Sequence, residues 1–317
     1  MSAQSANEFA LIKQFFSQGF PLHKNTVMAV GDDCSVVTPP KQHALAQSID
    51  TFVANIHFPA NAPAELIAER CLRCATSDLA AMGALPYGFH LGLTLPNANT
   101  DWLIQFSQGL RSCAHAMNIS LLGGDTTKGS ELVISMAVFG WIPEGKALRR
   151  DGAQVGDDIW VSDTIGRAAL ALPQVLNQPD DTSGFAQHYY YPQIQIPLSI
   201  QLLDKATSCM DISDGLLQDA AHIARASQVS FALDADCIPT AVDQGDPHWV
   251  TCLTGGDDYQ LLFTAPAEQH NDIFNLGADH SGLRCIGKVI KASAEPVTLH
   301  KNNQKILLPE HKGFLHF

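Results

Sequence analysis

The chain has 317 residues, enough for two domains at roughly 150 residues each, and 46% of its residues are hydrophobic while 16% are charged. This composition predicts buried cores and excludes a largely disordered protein. The formal net charge of −13 argues against a nucleic-acid-binding surface, since no stripe of Lys and Arg could neutralise a phosphate backbone.

The N-terminus and the cysteines predict a cytoplasmic protein without a membrane segment. Residues 1–8 lack a basic region followed by an apolar one, so no secretory signal is expected. No apolar stretch approaches the ~20 residues of a membrane span. The eight cysteines are scattered, which favours reduced thiols. Cys71 and Cys74 have redox-motif spacing but no preceding strand, so we interpret them as buried packing residues.

In the first half of the chain, apolar periodicity predicts helices and strands in alternation. In chain order the predicted elements are a helix at 8–16, strand-like runs on both sides of Asp32, a strand at 44–49, a helix at 63–82, a strand at 87–95, a helix at 100–117, and strands at 119–122 and 131–141.

Turn-forming residues between 142 and 158 place a domain boundary near residue 150, giving predicted domains 1–150 and 151–317. The second half restarts with a strand at 159–162 and a helix after Gly166. The polar interval 177–187 is the expected mobile loop. A helix capped by Ser213 or Asp214 continues to about Ala226. Strands and helices in both halves predict an α/β or α+β fold.

Five short Asp-bearing segments, each flanked by glycine or small residues, carry the functional signal. They are Gly31–Asp33, Ser77-Asp78, Gly123–Thr127, Asp211–Gly215 and Gly255–Tyr259. Three of them follow apolar runs that we interpret as strands, the last such run ending at residue 253. Carboxylates gathered at strand ends repel one another unless cations lie among them, and oxygen-only clusters suit Mg²⁺. The segments therefore predict a metal-assisted enzyme acting on phosphates.

Each segment also has a structural alternative. Asp33 could belong to an ordinary Gly-Asp turn. Asp78 lies inside a helix among apolar residues, which requires a cation or a buried Arg as partner. Gly124 either lets the backbone approach a phosphate or forms a glycine turn. An N-cap accounts for one of Asp211 and Asp214 but not for both.

The common nucleotide motifs are missing. The nearest match to a phosphate-binding P-loop is Gly282–Val289, which ends in Val where the motif requires a hydroxyl. We interpret this segment as part of a strand. A phosphate enzyme with this sequence therefore belongs to another architecture.

In combination, the acidic segments resemble the thiamine-monophosphate kinase family, which is grouped with aminoimidazole-ribonucleotide synthetase, selenophosphate synthetase and the hydrogenase-maturation dehydratase. The resemblance covers nearly the whole chain in the family's order. Besides the five segments, it rests on Ser48–Thr51, His57, Leu148–Arg150 and the closing Gly313–Phe317.

The resemblance implies a two-domain fold of the aminoimidazole-ribonucleotide synthetase type. The N-terminal ATP- and Mg-binding domain would pair its sheet across a homodimer into a barrel, and a C-terminal α/β domain would complete the active site. The implied activity is Mg-assisted, in-line transfer of the γ-phosphoryl group of ATP to thiamine monophosphate, giving thiamine diphosphate and ADP. Several Mg²⁺ ions are implied, with K⁺ as a further cation considered.

The resemblance also implies a role for individual residues. The implied metal ligands are Asp33, Ser48, Asp50, Asp78, Asp125, Asp211 and Asp214. The implied ATP contacts are Gly124, Asp125, Arg150 and Ser213. The implied contacts to thiamine monophosphate are His57, Asp257 and Phe314. No covalent nucleophile is expected.

Four positions depart from the family pattern. Ile49 stands where Thr is common, and Ala75 where Asn is usual. Asp257 replaces a Glu and is one methylene shorter, while Gln260 replaces a charged Glu. Asp163 stands where a Gly is usual.

Two other hypotheses remain at this stage. A related enzyme could activate a different acceptor with ATP. Selenophosphate synthetase would need a reactive Cys beside a Lys near the N-terminus, and the first Cys here is Cys34, directly after Asp33. The hydrogenase-maturation enzyme would need a C-terminal Cys. A catalytically silent nucleotide- or metal-binding protein is the third hypothesis, and the complete acidic set argues against it.

Overall fold

The computed structural model describes residues 8–277, 280, 282–302, 304–309 and 313, without the side chains of residues 8 and 9. The chain divides into two compact units. The first unit comprises Met1–Leu79, Leu85–Glu144 and Gln174–Asp181. The second unit comprises Ala80–Ala84, Gly145–Pro173 and Thr182–Phe317.

The described residues form the following elements. The helices are α1 (Glu8–Leu11, continued by a π-helix over Ile12–Phe16), α2 (Ala64–Ala81), α3 (Thr100–Met117), α4 (Arg167–Asn177), α5 (Ala186–Tyr190), α6 (Ile196–Leu202), α7 (Leu216–Ala226), α8 (Trp249–Thr254) and α9 (His270–Leu276). The strands are β1 (Thr26–Met28), β2 (Val36–Val37), β3 (His43–Val53), β4 (Leu85–Leu95), β5 (Ser120–Lys128), β6 (Val133–Pro143), β7 (Asp158–Val161), β8 (Ser208–Asp211), β9 (Val229–Asp234), β10 (Leu261–Ala265), β11 (Arg284–Lys291), β12 (Val297–Lys301) and β13 (Gln304–Ile306).

A four-stranded sheet in the order β3-β6-β4-β5 organises the first unit. β6 is antiparallel to β3 and β4, whereas β5 is parallel to β4. Even-numbered residues from Ile134 to Val138 are buried and odd-numbered ones are partly exposed, as expected for a sheet covered on one face. Helices α2 and α3 are in backbone contact, because a Cβ placed on Gly109 would lie 2.4 Å from the carbonyl oxygen of Glu65.

On the opposite face of this sheet, within the part of the chain that the structure describes, the β1-β2 hairpin covers one end. There it brings Val37 against Tyr87 and Trp141. Further along the edge strand β3, Leu45 and Ile49 are 51% and 66% exposed. The first unit therefore presents an apolar strip on an edge strand, which proteins usually cover.

The second unit contains a seven-stranded mixed sheet in the order β13-β12-β9-β11-β7-β10-β8. Both faces are buried. On one face Ile159 and Leu262 join a cluster that includes the apolar face of α7. On the other, Trp160 and Phe263 join a cluster with Leu198 of α6. β8 is an edge strand, and it ends at Asp211, directly before the Asp211–Gly215 segment continues into α7.

The structure corrects four local predictions. β5 continues through residues 123–127, beyond the strand predicted at 119–122, and β3 continues through Asp50 to Val53. The run ending in Leu253 is the helix α8, since a short apolar run does not distinguish a strand from a helix. Finally, α7 is capped by Gly215 without a side-chain hydrogen bond, not by Ser213 or Asp214.

The predictions for α3, for the buried face of α7 and for the segment that resembled a P-loop are confirmed. The helix predicted at 100–117 has those bounds, with Asn99 as a side-chain N-cap. The residues predicted to face inward from α7 (Leu216, Leu217, Ala220, Ile223 and Ala224) are buried. β11 occupies most of the segment that resembled a P-loop. All eight cysteines are free thiols. Within the described residues, no helix has the length and apolar character needed to cross a membrane.

Candidate functional site

A cavity of about 680 Å³ in the first unit brings together two of the predicted acidic segments. Asp33 lines it from the loop after β1, and Gly124 and Asp125 line it from β5. An apolar wall made by Ile12, Phe16, Val30, Leu91 and Leu121 completes it. The cavity therefore combines carboxylates and glycine backbone with an apolar surface, a combination that suits a nucleotide.

Gly124 is required in this cavity by its backbone. Its φ is +158°, and a Cβ at this position would lie 2.0 Å from the carbonyl oxygen of Leu91 on the neighbouring strand. Any side chain would push β5 away from β4. Because nothing projects from Gly124, a ligand can approach the backbone of β5 closely, beside the Asp125 carboxylate.

Lys13 is a site residue that the sequence analysis missed. It lies in the π-helical turn after α1 and is the single basic side chain among the described residues that line the cavity. The signal was weak, since a lysine on the polar side of a short amphipathic helix is usually a solvated residue. Its position among Asp32, Asp33 and Asp125 gives the cavity a fixed positive charge.

A second acidic group of the first unit joins β3 to α2. The Ser48 hydroxyl donates a hydrogen bond of 2.5 Å to a carboxylate oxygen of Asp78. The partner of Asp78 in the structure is thus a hydroxyl, not a buried Arg. Asp50 lies two residues along β3 and so shares the face of Ser48. It is also close enough to Cys71 to contribute, after burial and Cys74, to raising the pKa of that thiol.

The two acidic groups of the first unit lie at opposite edges of the sheet. The register aligns Asp50 with Met136, Met136 with Leu91, and Leu91 with Gly124. Three inter-strand steps of ~4.8 Å separate the two edges by roughly 14 Å. One ion therefore cannot bind both groups of the same subunit.

His57 is held in one tautomer and one orientation. The backbone N–H of Val53 donates to its Nδ1 at 3.0 Å, so the ring proton is on Nε2. The ring packs edge-to-face on Phe52, and the guanidinium of Arg70 donates to the carbonyl oxygen of His57. The imidazole can therefore offer an N–H donor to an anionic or acceptor group.

In the second unit, backbone hydrogen bonds join the Asp211–Gly215 and Gly255–Tyr259 segments. The N–H of Asp257 donates to the carbonyl of Ser213 at 2.9 Å, and that of Tyr259 donates to the carbonyl of Ile212 at 2.8 Å. A Cβ on Gly256 would lie 2.0 Å from the Ser213 oxygen, so the contact requires glycine there. Ser213 and the adjacent predicted metal ligands Asp211 and Asp214 are thus neighbours of Asp257, which was predicted to contact thiamine monophosphate.

Three carboxylates are close together at this junction. Burial, followed by the charges of Asp214 and Asp211, raises the pKa of Asp219 to about 8. One Asp219 oxygen accepts the N–H groups of Asp214 and Gly215, each at 3.1 Å. Asp219 was missed by the sequence analysis, and its carboxylate binds the two backbone N–H groups directly before α7. A bound cation would relieve the mutual repulsion of these three carboxylates.

Arg150 belongs to the same neighbourhood. The pKa of His222 is lowered by burial and then by the charge of Arg150, which places the guanidinium near His222. The side-chain ligand atoms of Asp214, Asp219 and His222 lie within 4.8 Å of one another. A phosphate at this position would meet the positive charge of Arg150 as well as the carboxylates and any cation they bind.

The structure explains what the four departures change. The Ile49 side chain is exposed, on the opposite face of β3 from Ser48 and Asp50, and Ala75 is buried in α2. Gln260 is buried and accepts hydrogen bonds from Ser162 and Gln195. The charge that is lost by having Gln in place of Glu would therefore have been in the interior of the unit. Asp163 accepts the backbone N–H of Thr164 and pairs with Arg167. Only the shorter Asp257 lies in the segment predicted to contact substrate.

Phe314, predicted to contact the thiamine end, lies outside the described residues. The roles assigned to the other predicted residues stay predictions. The geometry gives two groups in the first unit and one in the second, and it adds Lys13, Asp219 and His222 to them.

Comparison with known proteins identifies what this chain is similar to. Residues 31–142 match the family described as AIR synthase related protein, N-terminal domain. The chain is 36% identical to thiamine-monophosphate kinase from Haemophilus influenzae over 292 residues, covering 89% of each. The crystal structure of thiamine-monophosphate kinase from Stenotrophomonas maltophilia K279a has a TM-score of 0.80 at 33% identity, covering 96% of this chain and 98% of that chain. AaThiL complexed with AMPPCP and TMP has a TM-score of 0.76 at 25% identity, covering 100% and 99%.

Proposed function

The chain belongs to the thiamine-monophosphate kinase family, and we propose that it transfers the γ-phosphoryl group of ATP to the phosphate of thiamine monophosphate. The products are thiamine diphosphate and ADP, so the reaction is the last step of thiamine diphosphate biosynthesis. The observation that carries the proposal is the hydrogen-bonded pairing of the Asp211–Gly215 and Gly255–Tyr259 segments. It holds the residues assigned to metal, nucleotide and substrate side by side.

Similarity to AaThiL over the whole chain supports both substrates. That protein was solved with AMPPCP, an ATP analogue, and with TMP. The apolar wall and glycine backbone of the cavity in the first unit support a nucleotide there. We assign ATP to Gly124, Asp125, Arg150 and Ser213.

The transfer is direct. An oxygen of the acceptor phosphate forms a bond to the γ-phosphorus while the bond from that phosphorus to the bridging oxygen of ADP breaks. Such a transfer is catalysed mainly by positioning and by neutralising charge. No side chain of the proposed site acts as a nucleophile. The buried Cys71 and Cys113 have pKa values raised by burial, which keeps these thiols neutral.

The acidic residues fit Mg²⁺. Their donors are carboxylate and hydroxyl oxygens. In the second unit burial, followed by the charges of Asp214 and Asp211, raises the pKa of Asp219. The proposed ligands are Asp33, Ser48, Asp50, Asp78, Asp125, Asp211 and Asp214. When bound, Mg²⁺ would supply charge neutralisation for the phosphates.

For thiamine monophosphate, we assign the two residues whose groups are oriented by the backbone. His57 is fixed as an N–H donor, and Asp257 is held beside Ser213. A K⁺ requirement, the contact of Phe314 and the cytoplasmic location stay predictions.

We assign a homodimer in which the N-terminal sheets of two copies form a shared barrel. Two observations support it. The uncovered sheet face bears the exposed Leu45 and Ile49, and the acidic groups at opposite edges cannot share an ion within one subunit. Closing the barrel with a second copy would cover this strip and pair the free edges.

The test is an incubation of the protein with ATP, Mg²⁺ and thiamine monophosphate, with the thiamine and adenine products separated by chromatography. The proposal expects thiamine diphosphate together with ADP. AMP in place of ADP would indicate transfer of a pyrophosphoryl group and contradict the proposed chemistry. Bound ATP without any product would indicate another acceptor or a silent relative.

A further inference from the structure

Two residues of the Gly255–Tyr259 segment have an unusual backbone conformation. Asp257 has a φ of +69° and Tyr259 a φ of +52°, both in the left-handed region. The other non-glycine residues with positive φ in the described part of the chain are Asn, Asp or Gln, the types that tolerate it best or are flexible. A tyrosine there is disfavoured. Backbone strain of this kind persists where the surrounding structure imposes it, and it concentrates at functional sites.

Hydrogen bonds to the neighbouring Asp211–Gly215 segment hold residues 257–259 in this conformation. The backbone N–H groups of Asp257 and Tyr259 each donate to a carbonyl of the Asp211–Gly215 segment, on either side of the buried Asp258. A Cβ on Gly256 would lie 2.0 Å from the carbonyl oxygen of Ser213, so this position cannot carry a side chain. The conformation of residues 257–259 is therefore coupled to the residues assigned to metal and nucleotide.

This conformation turns the Tyr259 side chain back toward Asp257. The Tyr259 hydroxyl donates a hydrogen bond of 3.0 Å to Oδ1 of Asp257. The tyrosine is only 9% exposed, so its ring is held by packing and its hydroxyl is a fixed point. A hydrogen bond from a fixed donor orients the carboxylate, including its second oxygen.

We propose that Tyr259 is a positioning residue that orients the Asp257 carboxylate toward the thiamine end of the substrate. The inference rests on the proposed function. It gives a reason for the strain, because the conformation imposed at Asp257 and Tyr259 fixes where the tyrosine hydroxyl meets the carboxylate. It also bears on the departure at Asp257, where the family pattern has Glu. The shorter side chain has fewer conformations that reach the substrate, so its contact depends more on being oriented.

A purely structural tyrosine would behave differently. Removing its hydroxyl would then change stability, and it would change all kinetic constants or none. A positioning role changes one constant selectively, namely the KM for thiamine monophosphate, and it depends on the carboxylate of Asp257.

The experiment measures the kinetics of Tyr259→Phe, Asp257→Ala and the double variant with both substrates. For Tyr259→Phe we expect the KM for thiamine monophosphate to rise roughly tenfold, while the KM for ATP and kcat stay within about twofold. In the Asp257→Ala background, adding Tyr259→Phe should change the KM for thiamine monophosphate by less than about twofold. The matched control is Tyr190→Phe, a buried tyrosine of α5, which should leave this KM unchanged.

Three results would overturn the inference. The first is an unchanged KM in Tyr259→Phe, and the second is effects of the two substitutions that add in the double variant. The third is a normal KM for thiamine monophosphate in Asp257→Ala, whether or not Tyr259→Phe folds. If the unaltered protein makes no thiamine diphosphate, the proposed function fails and this inference with it. If the unaltered protein turns over normally and Tyr259→Phe has the same KM for thiamine monophosphate, only this inference fails.

Discussion

Asp125 lies on the exposed part of β5, where its carboxylate lines the cavity of the first unit. A surface carboxylate contributes little to folding, whereas a metal ligand is essential to turnover. For Asp125→Asn we therefore expect kcat to fall at least about 100-fold. The metal-free free energy of unfolding should stay within about 0.5 kcal/mol of the unaltered protein. Steady-state kinetics and urea unfolding with a chelator measure the two quantities.

The control for this prediction is Asp180→Asn. Asp180 is an exposed aspartate outside the proposed site, so the same change in charge should leave turnover unaltered. Normal turnover by Asp125→Asn would show that the metal and ATP assignments of this residue are wrong.

Asp258 offers a test of a buried carboxylate beside the site. Burial raises its pKa well above the ordinary value of Asp, although both oxygens accept the N–H of Gly166. Because the folded-state pKa is higher than the unfolded one, the folded protein retains a proton that the unfolded chain releases. The stability due to this group is complete below the unfolded pKa and is lost as pH rises toward the folded pKa.

For Asp258→Asn, which cannot ionise, we expect this contribution to disappear. Between pH 5 and pH 8 the unaltered protein should lose stability relative to the variant, by on the order of 1 kcal/mol. Urea unfolding of both proteins in metal-free buffer at the two pH values measures the difference. A difference that does not change with pH, or that changes in the opposite direction, would contradict the raised pKa.

At the residue scale, the sequence identified candidate ligands better than it identified their neighbours. The Asp-bearing segments are visible because several acids near glycines are unusual in one chain. Lys13, Asp219 and His222 are each ordinary for their local helix, so no local pattern marks them. Their importance appears only when the fold brings them to Asp33 or Asp214.

At the scale of elements, the crossing of α2 and α3 provides a prediction about stability. Gly109 is buried in α3, and a Cβ there would lie 2.4 Å from the backbone oxygen of Glu65. Alanine is favoured over glycine in a helix by about 1 kcal/mol, but a clash with backbone cannot be relieved by rotating a side chain. We therefore expect Gly109→Ala to destabilise the protein by roughly 1–3 kcal/mol in urea unfolding.

Gly245→Ala is the matched control, because a Cβ at Gly245 meets nothing within 4 Å. It should be neutral or stabilise by up to about 1 kcal/mol through the unfolded state. If Gly109→Ala proved as stable as this control, the close approach of the two helices would be wrong.

The long amphipathic elements were predictable, whereas short apolar runs were not. α3 has the bounds given by its periodicity, since both its pattern and its Asn99 cap are local. The run ending in Leu253 has no periodicity to separate the two possibilities and is a helix. A turn was one of two alternatives for the glycines of β5, and the strand continues through them because β4 supplies backbone partners from Gly88 to Leu95.

At the scale of the whole molecule, the proposed dimer can be tested on the open face of the first unit. Leu45 is 51% exposed on β3 and, like Ile49, lies on the opposite face of the strand from Ser48 and Asp50. A charge placed there would be buried in a shared barrel, so Leu45→Lys should prevent association. Light scattering should give about twice 34.2 kDa for the unaltered protein and 34.2 kDa for the variant.

Val155→Lys introduces the same charge at a residue that is 55% exposed in the second unit, and it should leave the mass of the dimer unchanged. A monomeric unaltered protein, or a dimeric Leu45→Lys variant, would place any interface elsewhere. Circular dichroism of both variants separates a lost interface from a lost fold.

The composition of the cores, the long helices and the chemistry of the acidic segments can be inferred from the amino-acid sequence. They depend on residue type and on spacings of a few residues, which every stretch of the chain displays locally. The fold is needed to know which segments meet: Asp257 against Ser213, Ser48 against Asp78, and Lys13 beside Asp33. Such contacts join residues far apart in the chain through strand register and backbone hydrogen bonds, whose partners local periodicity does not specify.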